Sequence, residues 1–197
     1  MNAVVLILTL FLALPSNSSK DFRYFDWGAS KAEVKKIEGT PFSENGESLL
    51  YIKKVPVNWD RDCVVKYEFV DGKLVTGLYM FIFDRYIDAN SYISDFNKLK
   101  EILTSKYGKP KKDSIIVRSS FDRSLVLRSP GLFLEAGAIA YMAEWTTTKT
   151  RVRLVLTLLD TGRESTVANT VLYESIKYKA LIEKANKENL KKGAKLF

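Results

Sequence analysis

The sequence predicts an α+β protein in which helices pack on one face of an antiparallel sheet. Several segments place apolar residues at alternate positions, as strands do, and helix-like segments lie before, between and after them. The composition, 46% apolar and 27% charged over 197 residues, is typical of a globular chain. We therefore expect one compact core from residue 20 to residue 176, followed by a Lys-rich helix and tail over 177–197.

The first predicted helix begins at Ser30. Glu33 follows three residues later, so the two side chains can form a capping box. Gly39 and Pro41 are residues that end helices, which limits this helix to about two turns.

Three strands are expected next, over residues 49–55, 63–70 and 74–83. Asp71-Gly72 lies between the second and third, where a two-residue hairpin turn needs positive φ at both positions. The third strand is apolar on both faces. This pattern favours a strand covered on both sides, or one whose second face lies in a binding groove.

The second half repeats this order. A longer helix is expected from Asp88 or Asn90 to Gly108, then a short strand over 115–117 and a loop with at most one helical turn over 121–136. The remaining predicted elements are a hairpin over 138–146 and 151–159, a strand over 167–173 and a helix over 175–191.

Both early helices end in Gly-x-Pro, at residues 39–41 and 108–110. We interpret this as a sign of a tandem repeat, with units over 26–85 and 88–174. The alternative is coincidence, because glycine and proline are common helix stops.

The first 19 residues are predicted to be a signal peptide. Residues 3–14 are apolar apart from Thr9, and Pro15 and a Ser-rich stretch follow. This run is too short to span a bilayer. With a cut near Ser18 or Ser19, the mature chain is expected in the periplasm or outside the cell. The alternative is a buried N-terminal strand or helix.

Composition also excludes common chemistry. The chain has no histidine and one cysteine, which excludes Ser-His-Asp and Cys-His catalysis and the ordinary zinc ligand sets. No glycine-rich phosphate loop or calcium loop is present, so we expect no cofactor and no metal site. Cys63 alternates with apolar residues and is expected to be buried; an intermolecular disulfide is the alternative.

Short motifs carry a family resemblance. The opening Trp27-Gly28-x-Ser30 with Glu38-Gly39-x-Pro41, and the later Tyr107-Gly108-x-Pro110, resemble a group of uncharacterised exported bacterial proteins. The pattern is also similar to the repeat of β-lactamase-inhibitor-like domains and of the small lipoprotein of the outer-membrane β-barrel assembly machinery. The resemblance implies helix-plus-antiparallel-sheet units and contact with another protein, without catalysis. This chain lacks the lipid-bearing cysteine of that lipoprotein.

The leading functional hypothesis is therefore an exported, non-catalytic protein that binds another protein or an envelope component. Exposed aromatic residues mark contact sites. The candidates are Tyr79, Phe81 and Phe83 on one strand face, with Trp59 and Trp145 elsewhere. Core packing is the alternative for all of them.

Two other hypotheses remain. Residues 177–197 hold seven lysines and two glutamates, which suits contact with an anionic membrane, or merely a solvated helix face. The candidate lysines are Lys184, Lys187, Lys191, Lys192 and Lys195. Nucleic acid is not expected, because export is predicted and this helix lacks interleaved aromatics. The rival enzyme class is a polysaccharide hydrolase using Asp60, Asp62 or Glu144, whose carboxylates would need to lie roughly 5–10 Å apart.

Overall fold

The computed structural model describes residues 20–54, 62–82, 88–160 and 165–194 of the chain. The elements are, in chain order, α1 (Lys31–Glu38), β1 (Ser43–Asn45), β2 (Ser48–Lys54), β3 (Asp62–Val70), β4 (Lys73–Ile82), α2 (Asn90–Tyr107), β5 (Lys112–Val117), α3 (Arg123–Arg128), α4 (Pro130–Glu135), β6 (Ile139–Thr146), β7 (Thr150–Asp160), β8 (Ser165–Ser175) and α5 (Lys179–Ala194). The predicted α+β class with an antiparallel sheet is confirmed.

The eight described strands form one sheet in the order β1-β2-β3-β4-β8-β7-β6-β5, and every neighbouring pair is antiparallel. Strands β1–β4 form one meander and β5–β8 form another. The two meanders meet where the last strand of each, β4 and β8, pair with one another. A helix precedes each meander. This order accords with two units of the same kind, but a common origin of the halves stays a prediction.

Local sequence signals explain several element boundaries. The Ser30 hydroxyl accepts from the Glu33 backbone, and the Glu33 carboxylate accepts from the Ser30 backbone, which confirms the predicted capping box. Gly39, with φ +85°, ends α1. Asp71 and Gly72 have φ values of +50° and +71°, so the predicted two-residue turn between β3 and β4 is confirmed.

Three described elements were not predicted, and two predicted ones begin elsewhere, β5 at Lys112 and α5 at Lys179. The expected loop over 121–136 contains α3 and α4. Asp122 accepts hydrogen bonds from the backbone of Ser124 and Leu125 and so begins α3, while Pro130 occupies the first turn of α4. Strand β1 was not expected because its three residues are polar and show no alternation. Its extended conformation comes from antiparallel pairing with β2.

One face of the sheet, called here the covered face, packs against α1, α2, α4 and the segment around Phe22. The Phe22 ring lies 5.2 Å from Tyr67, 5.2 Å from Tyr79 and 5.3 Å from Tyr173, measured between ring centroids. The strands contribute these buried residues: Leu49, Tyr51, Val65, Tyr67, Phe69, Trp145, Val152, Leu154, Leu156 and Tyr173. The core therefore lies between this face and the helices.

Helix α5 is the exception to the expected helices on one face. It contacts β3, and its Ile182 and Ala185 line a groove of about 540 Å³ together with Glu68 and Thr76. The strand register puts Glu68 and Thr76 on the face opposite Tyr67. Helix α5 thus covers one end of that opposite face. It covers no more than one end because its apolar stripe is short: its half-buried positions are residues 181, 182 and 185.

Candidate binding surfaces

The other face of the sheet, called here the open face, is left uncovered by the described helices except at the end that α5 covers. One row of cross-strand partners runs over it from β2 to β5. Its members are Ile52, Val64, Met80, Thr170, Val155, Met142 and Ser114. None of the seven is buried, and Ile52 is 51% exposed. Five are apolar, so from Ile52 to Met142 the row forms an apolar stripe across six strands, interrupted only at Thr170 on β8.

Charged residues border this stripe toward α5. The Glu174 carboxylate accepts a hydrogen bond from Arg153 at 2.9 Å and lies 3.7 Å from Arg151. The Nε atom of Arg153 is buried and has no hydrogen-bond partner among the described residues. An apolar centre with a charged border is the usual composition of a protein contact surface.

The predicted aromatic site is corrected by the structure. Phe81 is 3% exposed and Trp145 is 1% exposed, so both lie in the core and neither can meet a partner. The Trp145 indole instead donates to the carbonyl of Gly108 at 2.8 Å and so holds the end of α2 on the sheet. Tyr79 is half-buried on the covered face and contacts the rings of Phe22 and Phe81.

Other predicted positions fall elsewhere. Phe83, Trp59, Asp60 and Lys195, with the predicted signal peptide over 1–19, lie outside the described residues. Lys192 lies in α5. Lys184, Lys187 and Lys191 are exposed on α5, and Leu190 among them is 74% exposed. Lys184, Lys187 and Lys191 therefore face solvent, as the prediction of a basic surface requires.

A buried ionic cluster lies under α1. The Glu38 side chain is 3% exposed and accepts from Arg23 Nε at 2.7 Å and from the Tyr67 hydroxyl, with Lys53 Nζ at 3.1 Å. Burial would raise the pKa of Glu38, but the hydrogen bonds from Tyr67 and Arg23 outweigh it and hold that pKa below the ordinary value. Burial and the Glu38 carboxylate raise the pKa of Tyr67. Every group has a partner, so the cluster ties α1 and the segment at Arg23 to the sheet.

The remaining residues considered for catalysis or metal binding are Cys63 and two carboxylates. Cys63 is 2% exposed, and burial raises the pKa of its thiol to about 11, which confirms the expected buried cysteine. Glu144 is half-buried on the open face and Asp62 is exposed at the start of β3. Within the described ranges, no group of three or more potential ligand side chains could hold a metal ion. None of the described helices is long and apolar enough to cross a bilayer.

The chain matches no protein-family model, no curated protein sequence and no solved structure. The resemblance drawn from the short motifs therefore stays a prediction.

The sequence hypothesis named no residue of the open face as a candidate for protein binding, although it allowed that one face of the third predicted strand lies in a groove. The signal of the open face was present in β4, whose residues are apolar at both even and odd positions. Only the helix positions show which of the two faces is buried. The sequence hypothesis chose the face of Tyr79 and Phe81, where Phe81 is buried and Tyr79 packs under Phe22, whereas Leu78 and Met80 lie half-buried on the open face.

Proposed function

We propose that this protein is exported and acts without catalysis, by binding another protein or an envelope component through the open face. The observation that carries the proposal is the apolar stripe from Ile52 to Met142. An antiparallel sheet with one face on the core commonly presents polar residues on its other face. Here the centre of that other face is apolar across the join of the two meanders, which favours a partner that covers it.

The export part of the proposal is supported by the N-terminal sequence and by the single cysteine. The apolar run over 3–14, followed by Pro15 and a Ser-rich stretch, has the composition of a signal peptide. A single buried thiol also suits an oxidising compartment, since no exposed thiol among the described residues is available for unwanted disulfides.

Site-specific photocrosslinking tests the binding surface. A photoreactive phenylalanine analogue placed at Met142, on the stripe, is expected to give a discrete adduct in envelope fractions of the source cells. The same analogue at Lys36, which is exposed on α1, serves as the matched position away from the open face. Identification of the adduct by mass spectrometry gives the partner.

A second pair of variants tests whether the contact is specific. Val155→Lys puts a charge in the stripe and is expected to abolish the adduct. Ile102→Lys changes an apolar residue that is 38% exposed on α2 and is expected to leave it intact. Equal adducts at Met142 and Lys36, or an adduct that survives Val155→Lys, would contradict the proposal. Intact-mass measurement of the exported chain tests the cut near Ser18 or Ser19.

A further inference from the structure

The segment between β5 and β6 exposes an unusual number of large apolar side chains. Within residues 118–135, called here the α3–α4 segment, Leu125 is 55% exposed, Leu127 44% and Leu132 66%. Phe121 is 39% exposed and packs edge-on against Phe133, with 5.9 Å between the ring centroids. Four apolar side chains thus face solvent within about a dozen residues.

The architecture explains why these side chains are not buried. Helices α3 and α4 have six residues each, so each helix can bury only one or two of its side chains against the rest of the protein. Helix α3 buries Val126, and α4 buries Gly131 and Leu134. A Cβ on Gly131 would lie 2.8 Å from the Ala89 carbonyl carbon, so α4 is pressed against the start of α2. The exposed leucines, Leu125, Leu127 and Leu132, lie on the sides of the two helices that are not packed against the protein.

Arginines surround the exposed leucines. Arg123 is the first residue of α3, Arg128 is its last, and Arg118 precedes the helix; all three are exposed. None of the three forms an ion pair with a described carboxylate. The segment has two acidic residues. Asp122 is engaged by the backbone of Ser124 and Leu125, and Glu135 is half-buried.

We propose that the α3–α4 segment is a membrane-contact site that inserts its leucines among the headgroups of an anionic phospholipid surface. Leucine and phenylalanine side chains gain from leaving water at the headgroup boundary, and flanking arginines gain from the negative surface. This inference is independent of the open-face proposal, because it concerns other residues and another ligand.

Charge and area favour lipid over a protein partner. A standard protein interface buries about 800 Å² on each side, which four partly exposed side chains on two short helices do not supply. Shallow insertion instead gains from each apolar side chain that enters the headgroup boundary and from attraction of the arginines to anionic lipid, and it is reversible. The site also differs from the Lys-rich helix. The α3–α4 segment follows Val117, which pairs with Ile139, whereas α5 follows Ser175 at the opposite strand ends.

Vesicle flotation measures the proposed binding. The chain from residue 20 onward contains every described element and avoids the apolar run over 3–14. It is expected to float with phosphatidylcholine vesicles that contain phosphatidylglycerol, and to stay in solution with pure phosphatidylcholine. Leu125→Ser/Leu127→Ser is expected to lower the partition coefficient at least about tenfold. Each of Arg123→Gln and Arg128→Gln is expected to lower it about fivefold.

Two controls separate this site from other surfaces. Ile37→Ser changes an apolar residue that is 57% exposed on α1 and is expected to leave the partition coefficient unchanged. Lys184→Gln/Lys187→Gln/Lys191→Gln removes the charges of α5 and is also expected to change it little. Thermal unfolding of each variant confirms that it is folded.

A fluorescent label gives a direct readout of insertion. Because Cys63 is buried, a cysteine at Leu127→Cys can be labelled selectively with a nitrobenzoxadiazole dye. Its emission is expected to rise on adding anionic vesicles, while the same dye at Ile37→Cys stays unchanged. The proposal is overturned if the chain does not float with anionic vesicles, if the α5 substitutions remove binding and the α3 substitutions do not, or if the dye at position 127 stays in water.

Discussion

The ring of Phe22 lies directly on the backbone of Gly77 in strand β4. A Cβ built on Gly77 would lie 2.2 Å from a ring carbon of Phe22, far inside contact distance. Glycine at this point lets an N-terminal aromatic side chain reach the sheet between Tyr67 and Tyr173, the partners of Gly77 on β3 and β8. The segment before α1 is thereby part of the core.

Gly77→Ala is expected to lower the free energy of unfolding by about 1–3 kcal/mol, because the added methyl group overpacks this contact. Urea denaturation followed by circular dichroism measures the change. Phe22→Val should itself destabilise the protein. In that background, however, Gly77→Ala should lower the free energy of unfolding by less than in the wild type, since valine leaves room for the added methyl group. An equal loss in both backgrounds would show that Phe22 is not the group that the methyl meets.

Glu38→Gln is expected to lower the free energy of unfolding by about 3 kcal/mol at neutral pH. The substitution leaves Arg23 largely buried beside an uncharged partner. Glu183→Gln, at a carboxylate that is 64% exposed and pairs with Lys179, should change stability little. If Glu38→Gln lowers the free energy of unfolding no more than Glu183→Gln does, the buried cluster at Glu38 does not stabilise the protein.

The same residue predicts a pH dependence. The folded-state pKa of Glu38 lies below its unfolded value, so its contribution is complete above the unfolded pKa and is lost as pH falls through the folded pKa. Wild-type stability should therefore decrease as pH falls below roughly 4.5. The Glu38→Gln variant should show a shallower decrease over the same range. If the free energy of unfolding falls with pH in parallel for the wild type and Glu38→Gln, Glu38 does not cause the pH dependence.

Asn169→Leu is expected to raise the free energy of unfolding by about 1–3 kcal/mol. Asn169 is 0% exposed, and neither its Oδ1 nor its Nδ2 atom has a hydrogen-bond partner within the described structure. It lies between Phe81 and Leu156 in the register, so leucine offers similar volume without unpaired polar atoms. Thermal unfolding tests this, with Thr170→Val on the open face as the control for a neighbouring position. A destabilised Asn169→Leu would mean that the amide is satisfied in solution.

Cys63 is expected to resist thiol reagents in the folded protein. Its pKa of about 11 leaves almost no thiolate at pH 8, and the side chain is 2% exposed. Reaction with Ellman's reagent should be slow in buffer and fast in concentrated urea. Leu127→Cys supplies an exposed thiol as the reference for fast reaction in the folded state. Fast modification of Cys63 without denaturant would overturn its assignment to the core.

The sequence alone determined the local structure where the signals are local. Ser30 with Glu33 marks the start of α1, and Asp71-Gly72 marks the turn between β3 and β4, because capping and positive φ depend on adjacent residues. Alternation of apolar residues likewise located β2, β3 and β4 to within one residue at each described boundary. The antiparallel sheet and the α+β class follow from the order of these elements.

Which surfaces of the sheet are free depends on tertiary packing and could not be predicted from the sequence. Strand β4 has two apolar faces, and its sequence is equally consistent with burial of either. The ring of Phe22 and the guanidinium of Arg23 pack against Tyr79, and Phe81 is buried on the same face, which leaves Leu78 and Met80 on the open face. Burial depends on residues distant along the chain, such as Phe22 against Gly77, and no local pattern contains that information. For the same reason the apolar residues over 121–132 could be read from the sequence, but their exposure could not.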